Sequence, residues 1–354
     1  MIKSLFLKFK NTATNSKNGI EDALVLIIPG VVSTVIGLGT SILLARALTP
    51  AGFGKYALIC SVYLFILLFS EMGIDQTATR FASRAFSEGR FDIQHAVLRW
   101  AFRLRVLLAM IIMFIIFLLI PFVLDNFWYL PELKFTMSLS LIIGVLAVIS
   151  TVPMTYYQSS KRFKMNAAVS ILQTIINFIG IVFLALFHIL SLNNVIYVSI
   201  ISTAFGAFFF LFMVPKTILF DMNEFKQLLQ SGLKNFFIFN NEEDNNHKAE
   251  VNLFTIFSPL NALISNLNTK VSIWFMGCFL NPVQIGLYNV VSKYIYPMQF
   301  IGGANGNVLW QRMSSLTSKK ESLKLLKRFM LLASVPFFLC IIYSFFVPFL
   351  TPYL

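Results

Sequence analysis

The sequence predicts an all-α polytopic membrane protein made of two parallel-repeat helical lobes. Three observations lead there. The chain holds nine long apolar runs. Its Lys and Arg gather in alternate connections between those runs. A nine-residue pattern that follows the first run returns after the seventh.

Composition sets the class. Hydrophobic residues make up 57% of the chain and charged residues 12%, with a mean hydropathy of +0.77. Soluble domains carry about 25% charged residues, so a soluble enzyme is excluded. The net charge of +13 is spread over connecting segments and forms no separate basic domain. It reads as the cationic side of a membrane protein, and no nucleic-acid partner is expected. Cys60, Cys278 and Cys340 stand far apart in apolar runs, and His95, His188 and His247 share no ligand spacing. The sequence therefore predicts no disulfide framework, no metal site, no cofactor and no catalytic residue.

The elements follow in order. Residues 1–22 place Ile2, Leu5, Phe6 and Phe9 at helical spacing against Lys3, Lys8 and Lys10. This is either an interfacial helix on the cytoplasmic leaflet or a basic tail. A span needs roughly 20 apolar residues. Six are expected in an amino-terminal lobe, residues 23–215: Ala23–Ala45, Tyr56–Met72, Ala101–Val123, Phe135–Tyr157, Ala167–His188 and Val195–Val214. Residues 216–250 read as a cytoplasmic linker, polar and acidic between Asn240 and His247. Residues 251–354 offer three more spans, Leu253–Leu280, Ile285–Val308 and Phe329–Leu350. Pro29, Pro153 and Pro297 can each interrupt a helical ladder.

Charge gives the orientation. Of the 28 Lys and Arg, only Arg46, Lys55 and Lys134 fall on the side away from the amino terminus, while Lys270 and Lys293 fall inside helices. The amino terminus is thus expected in the cytoplasm. The repeat pairs Leu48, Pro50, Gly54 and Tyr56 with Leu280, Pro282, Gly286 and Tyr288, 232 residues apart. Both copies sit in a turn on the non-cytoplasmic side. Either this is a generic helix–turn–helix met twice, or the halves are parallel repeats about an axis along the membrane normal.

The stretch Ala45-Arg46-Ala47-Leu48-Thr49-Pro50-Ala51-Gly52-Phe53-Gly54-Lys55-Tyr56, with Gly73-Ile74-Asp75-Gln76-Thr77-Ala78-Thr79-Arg80-Phe81-Ala82 downstream, resembles the polysaccharide biosynthesis exporters. These are the O-antigen and capsule-repeat flippases of the multidrug/oligosaccharidyl-lipid/polysaccharide exporter superfamily. The copy at Gly286 and Tyr288 resembles that family's second half. The resemblance implies a MATE-like V of two six-helix lobes around a central cavity. It also implies alternating access in a bacterial inner membrane, with a polyprenyl-diphosphate-linked oligosaccharide as cargo. A polysaccharide polymerase or ligase and the membrane lipids are the implied partners. Relatives usually have twelve or more spans, so the second lobe reads as incomplete. Ser272 stands where many relatives carry an acidic residue, which argues against ion coupling there. A drug exporter of the same superfamily, or a membrane enzyme acting on lipid-linked sugars, are the other functions weighed. The short outer connections, without carboxylate clusters, speak against the enzyme.

Charged residues supply the candidate sites. Lys270 and Lys293 fall roughly 12–14 Å below the outer surface at 1.5 Å per residue. They either line a cavity, where they would attract a diphosphate or acidic sugars, or snorkel to the interface. Glu71 and Asp75, with Arg80 and Arg84 nearby, form a gate, a proton-linked pair for ion coupling, or an interfacial ion network. Arg99 and Arg103, one turn apart, either hold an anionic headgroup or anchor the cytoplasmic face. Arg46 is an outer anchor or a cavity residue.

Overall fold

The computed structural model describes residues 17–160, 162–219 and 272–293, together with residue 323. Among them the chain is helical and without strands. Helix α1 runs Lys17–Ala47, α2 Thr49–Glu71, α3 Ile74–Ser87 and α4 Phe91–Asn126. A 3-10 turn, Pro131–Leu133, leads into α5, Lys134–Ser159. Helices α6 (Phe163–Leu186) and α7 (Leu192–Met213) form a hairpin, followed by the short α8, Lys216–Leu219. Residues 272–279 are helical (α9), and α10 spans Pro282–Lys293. Six of these helices are long and apolar enough to cross a membrane, as the apolar runs predict for 23–215. The expected spans over 251–354 lie mostly outside the described residues.

Local chemistry explains the boundaries. Pro50 sits in the first turn of α2, where its missing N–H costs nothing. Met72 and Gly73 both adopt left-handed backbone, at φ 33° and 72°, and this break separates α2 from α3. The apolar pattern alone puts Glu71 and Asp75 together at the end of one helix. In the structure Glu71 ends α2, while Asp75 lies in the first turn of α3. The pattern does not reveal α3 because its buried residues Ile74, Thr77, Ala78, Phe81, Ala82 and Ala85 repeat as an amphipathic stripe rather than an apolar run. At 14 residues it is about 21 Å long, too short for a hydrocarbon core of about 30 Å. Helix α4 begins ten residues before the expected start, so Arg99 stands on the helix and not in a loop, one turn before Arg103. The helices pass through Pro29 and Pro153 without ending.

Packing orders the bundle into three apolar clusters. One joins α3, α4, α5 and α7 through Phe81, Trp100, Tyr157 and Phe210 at the Arg-rich end. A second joins α2, α4 and α5 to α9 and α10 through Leu58, Ile66, Trp128, Met137 and Ile285. The third joins α1, α2, α6 and α7 through Leu44, Phe53, Ile181 and Val195. Each of these buried large side chains is worth about 1.5–3 kcal/mol against water. In lipid that gain is small, and close packing holds the helices together instead. Phe114, Phe117, Phe122, Phe208 and Phe212 are exposed, forming the surface a bilayer would cover.

The repeated turns meet each other. A Cβ on Gly54 would lie 1.7 Å from the Pro282 carbonyl oxygen, and one on Gly286 would lie 2.4 Å from the Pro50 carbonyl oxygen. The two glycines therefore let the first turns of α2 and α10 touch, each against the proline carbonyl of the other copy. Their capping also matches. The Gly52 N–H donates to Thr49 Oγ1 at 3.3 Å, and the Gln284 N–H donates to Asn281 Oδ1 at 3.0 Å. Thr49 and Asn281 occupy equivalent positions in the repeat, as do Gly52 and Gln284. Two coincidental turns would have no reason to share cap, proline and reciprocal glycine contact.

Candidate functional site: a polar cavity in mid-bundle

Between α1, α2, α6, α7 and the second-half helices lies a cavity of about 480 Å³. That is within the roughly 300–1,000 Å³ of small-ligand sites. Helical periodicity builds its walls. From α6 come Ser170, Gln173, Thr174 and Asn177, and from α7 Ser199, Ser202 and Thr203. Both sets follow i, i+3, i+4 spacing, which places them on one face. Helix α1 adds Gly37, Thr40 and Ser41, α2 adds Tyr56, Cys60 and Tyr63, and α10 adds Asn289. Counting from the ends of α1, α6 and α7 opposite the Arg-rich side, these groups lie roughly 10–24 Å deep, spanning the middle of a bilayer-sized bundle.

Among the described residues, no Asp, Glu, Lys, Arg or His lines this cavity. Several of its hydroxyls are bonded back to their own helices. Thr40 donates to the Ile36 carbonyl at 2.9 Å, Thr174 to Ser170 at 2.8 Å and Ser199 to Val195 at 2.9 Å. Ser202 and Thr203 both donate to the Ser199 carbonyl, at 3.0 and 2.7 Å. These back-bonds commit each hydroxyl proton to the helix backbone and leave oxygen lone pairs toward the cavity. The Asn177 amide donates to Ser202 Oγ at 3.1 Å and Ser199 Oγ at 3.4 Å. The walls can thus accept from hydroxyl or N–H groups of a ligand.

A second polar cluster sits at the Arg-rich end. Arg105, almost fully buried, forms an ion pair with Asp75, so α4 is tied to α3. Asp75 Oδ1 and Arg105 Nε are buried without a hydrogen-bond partner. Arg99 Nη1 donates to the Thr217 carbonyl at 2.7 Å, and His95 Nδ1 lies 3.1 Å from Thr217 Oγ1. The Gln94 amide donates to Ser159 and Ser160 at 3.1 and 3.0 Å. These bonds fasten α4 to α5 and α8 as well. At the opposite end, Lys55 pairs with Glu132 at 2.9 Å and Lys134 with Asp125 at 2.7 Å. Two of the three cations expected on that side are therefore charge-balanced.

The charged candidates from the sequence fall as follows. Arg46 is in the last turn of α1 and exposed. Arg80 lies 5.5 Å over the Phe81 ring, and Arg84 Nε donates at 3.0 Å to Glu88, which caps the end of α3. Arg99 is buried, and Arg103, one turn on, is half-buried. Asp75 takes Arg105 as its partner, a residue that the charge pattern groups with the general cationic anchors. None of Arg46, Glu71, Asp75, Arg80, Arg99 and Arg103 lines the cavity. Lys270 lies outside the described residues, as does the side chain of Lys293. A search for charged candidates misses the uncharged stripe on α6 and α7 altogether. Its signal is present in the sequence: Ser170, Gln173, Thr174 and Asn177 interrupt an apolar run at one helical face.

Comparison with known proteins places the fold. The chain is similar to a MOP-superfamily transporter of Pyrococcus furiosus, with TM-score 0.64 and 13% identity, over 88% of this chain and 67% of that one. That protein is reported to have a binding pocket of reverse polarity. This chain is similar also to a MATE protein solved in complex with MaD5, with TM-score 0.66 and 13% identity, over 93% of this chain and 72% of that one. An outward-facing multidrug-resistance MATE transporter gives TM-score 0.61 at 13% identity, over 88% and 67%. At that identity the likeness carries the fold, an all-α MATE-like bundle of parallel-repeat lobes. No curated protein sequence matches the chain. The sequence profile described as polysaccharide biosynthesis protein matches residues 20–316, so the chain is a multi-pass membrane protein belonging to that family.

Proposed function

We propose that the chain flips a polyprenyl-diphosphate-linked oligosaccharide repeat unit across the bacterial cytoplasmic membrane. The glycan passes through the mid-bundle cavity by alternating access, and the polyprenyl tail stays in lipid. The observation that carries this reading is the chamber of hydroxyl and amide side chains at bilayer depth. Polar groups are expensive in a membrane interior and mark a substrate path there. An apolar cargo would have no use for them.

In this reading Lys270 and Lys293 serve the diphosphate. Lys270 stands three residues before Ile273, and Lys293 four after Asn289, both of which line the cavity. Arg99 and Arg103 receive the headgroup from the cytoplasmic leaflet, while Asp75 with Arg105, together with Glu71 and Arg80, form the gate. Arg46 anchors the outer rim. Residues 23–215 and 251–354 are the moving lobes and 216–250 their cytoplasmic linker. The glycan is handed on to a polymerase or ligase, and the protein forms no covalent bond to it.

The test is a deletion strain. Lipid-linked repeat units should accumulate on the cytoplasmic leaflet, and the intact gene should clear them. Normal glycan together with heightened sensitivity to cationic drugs would replace this reading with that of a drug exporter. Accumulation of incomplete repeat units would point to an enzyme instead.

A further inference from the structure

Resting on that reading, we infer that Gln173 and Asn289, two carboxamides from opposite halves of the molecule, bind neighbouring sugar hydroxyls and decide which glycans pass. The ground is what each wall group already holds. Thr40, Thr174, Ser199, Ser202 and Thr203 donate to helix carbonyls. The Asn177 amide holds the Ser199 and Ser202 oxygens. Gln173 on α6 and Asn289 on α10 line the same cavity. Neither carboxamide takes a hydrogen-bond partner among the described residues, although Asn289 keeps only 6% of its surface. Side chains so buried are ordinarily satisfied. In a membrane interior an open polar group is costly and marks a place where a substrate completes it.

A carboxamide sets an acceptor oxygen beside a donor N–H, and a hydroxyl is both donor and acceptor. Two neighbouring hydroxyls of one sugar can therefore close two hydrogen bonds on one carboxamide. Gly206 positions the first of the pair. A Cβ there would lie 2.6 Å from Gln173 Oε1 and 3.0 Å from Gln173 Cδ, so the head of Gln173 occupies the notch that the glycine leaves on α7. Counted along α10 and α6 from the side opposite the Arg-rich end, Asn289 lies about 10 Å deep and Gln173 about 20 Å. A crossing saccharide meets them at different levels, one from each half. A site that hydrogen-bonds a hydroxyl rejects the analogue lacking it, because its own polar groups are then left open.

The full chain in proteoliposomes tests this with two short-chain polyprenyl diphosphates. One carries glucose and the other 3,4-dideoxyglucose, which has no neighbouring hydroxyls. Leaflet exchange is read as the diphosphate cleaved by an added, membrane-impermeant phosphodiesterase. The unaltered chain should move glucose at least tenfold faster than the dideoxy sugar. Gln173→Leu and Asn289→Leu should each slow glucose at least tenfold and the dideoxy sugar less than threefold, since that sugar already lacks the hydroxyls concerned. Gly206→Ala meets only the flexible end of Gln173, so it should fold normally, slow glucose severalfold and add nothing in a Gln173→Leu background. Equal rates for the two sugars in the unaltered chain would overturn the inference and leave the proposed function standing. So would leucine variants that slow both sugars by the same factor, since the change would then act on the protein and not on the hydroxyls. A Gly206→Ala loss undiminished in the Gln173→Leu background would overturn the part given to Gly206. Movement of neither sugar by the unaltered chain would overturn the proposed function, and this inference with it. Where a leucine variant fails to fold, the two sugars compared on the unaltered chain and on Gly206→Ala still decide.

Discussion

At the scale of single residues, the buried pair of Asp75 and Arg105 is the most consequential charge in the described chain. Arg105 keeps 2% of its side-chain surface and Asp75 26%, and each retains one unpaired buried atom. Removing one partner strands the other. We expect Arg105→Met alone to lower stability in detergent by about 2–4 kcal/mol, somewhat under a fully buried pair because Asp75 is partly wet. Adding Asp75→Leu should recover at least half of that in the same thermal unfolding measurement. Additive losses would show that the two residues do not act as a pair. The candidate lysines make a separate prediction. Lys270→Ala combined with Lys293→Ala should abolish glycan export at normal protein abundance, and undiminished export would remove both from the mechanism. Single charges are easy to find in so apolar a sequence, but their partners are not. Nothing in the sequence says which of the many Arg residues meets Asp75, because that depends on how α3 folds back on α4.

At the scale of helices, the contact between the starts of α2 and α10 makes the sharpest demand. Gly54→Ala or Gly286→Ala puts a methyl group into a backbone carbonyl of the other repeat, and rigid backbone cannot yield cheaply. Either substitution should cut folded protein severalfold, measured as monodisperse material after extraction. Gly37→Ala should change little, because nothing lies within 4 Å of the place its added methyl group would take. Helix existence is legible wherever an apolar run is long, as for α1, α5, α6 and α7. It fails where amphipathic packing replaces lipid exposure: α3 buries one stripe and leaves Arg80 and Arg84 off it, and the first turns of α4 bury the charged Arg99 among apolar residues. The cavity is equally present in the spacing of Ser, Thr, Asn and Gln. It escapes a search guided by charge, and a neutral stripe costs too little in hydropathy to interrupt a span.

At the scale of the whole molecule, the proposed function makes one machine of the repeat, the polar chamber and the exposed Phe surface: two related helical halves around a path for a polar cargo. The halves must then enter the membrane in the same sense. Compartment reporters fused at the amino terminus and within residues 216–250 should both lie in the cytoplasm, and opposite sides would break the parallel duplication. The central claim, that saccharide passes through the polar chamber, is tested most directly by filling it. Thr203→Trp, which projects into the cavity, is compared with Phe208→Trp, on a side chain that is 70% exposed. Both proteins are brought to equal abundance, and leaflet exchange of the glucose-bearing polyprenyl diphosphate is measured. The account predicts a drop of at least tenfold for Thr203→Trp and none for Phe208→Trp. Full exchange by the filled protein would contradict it.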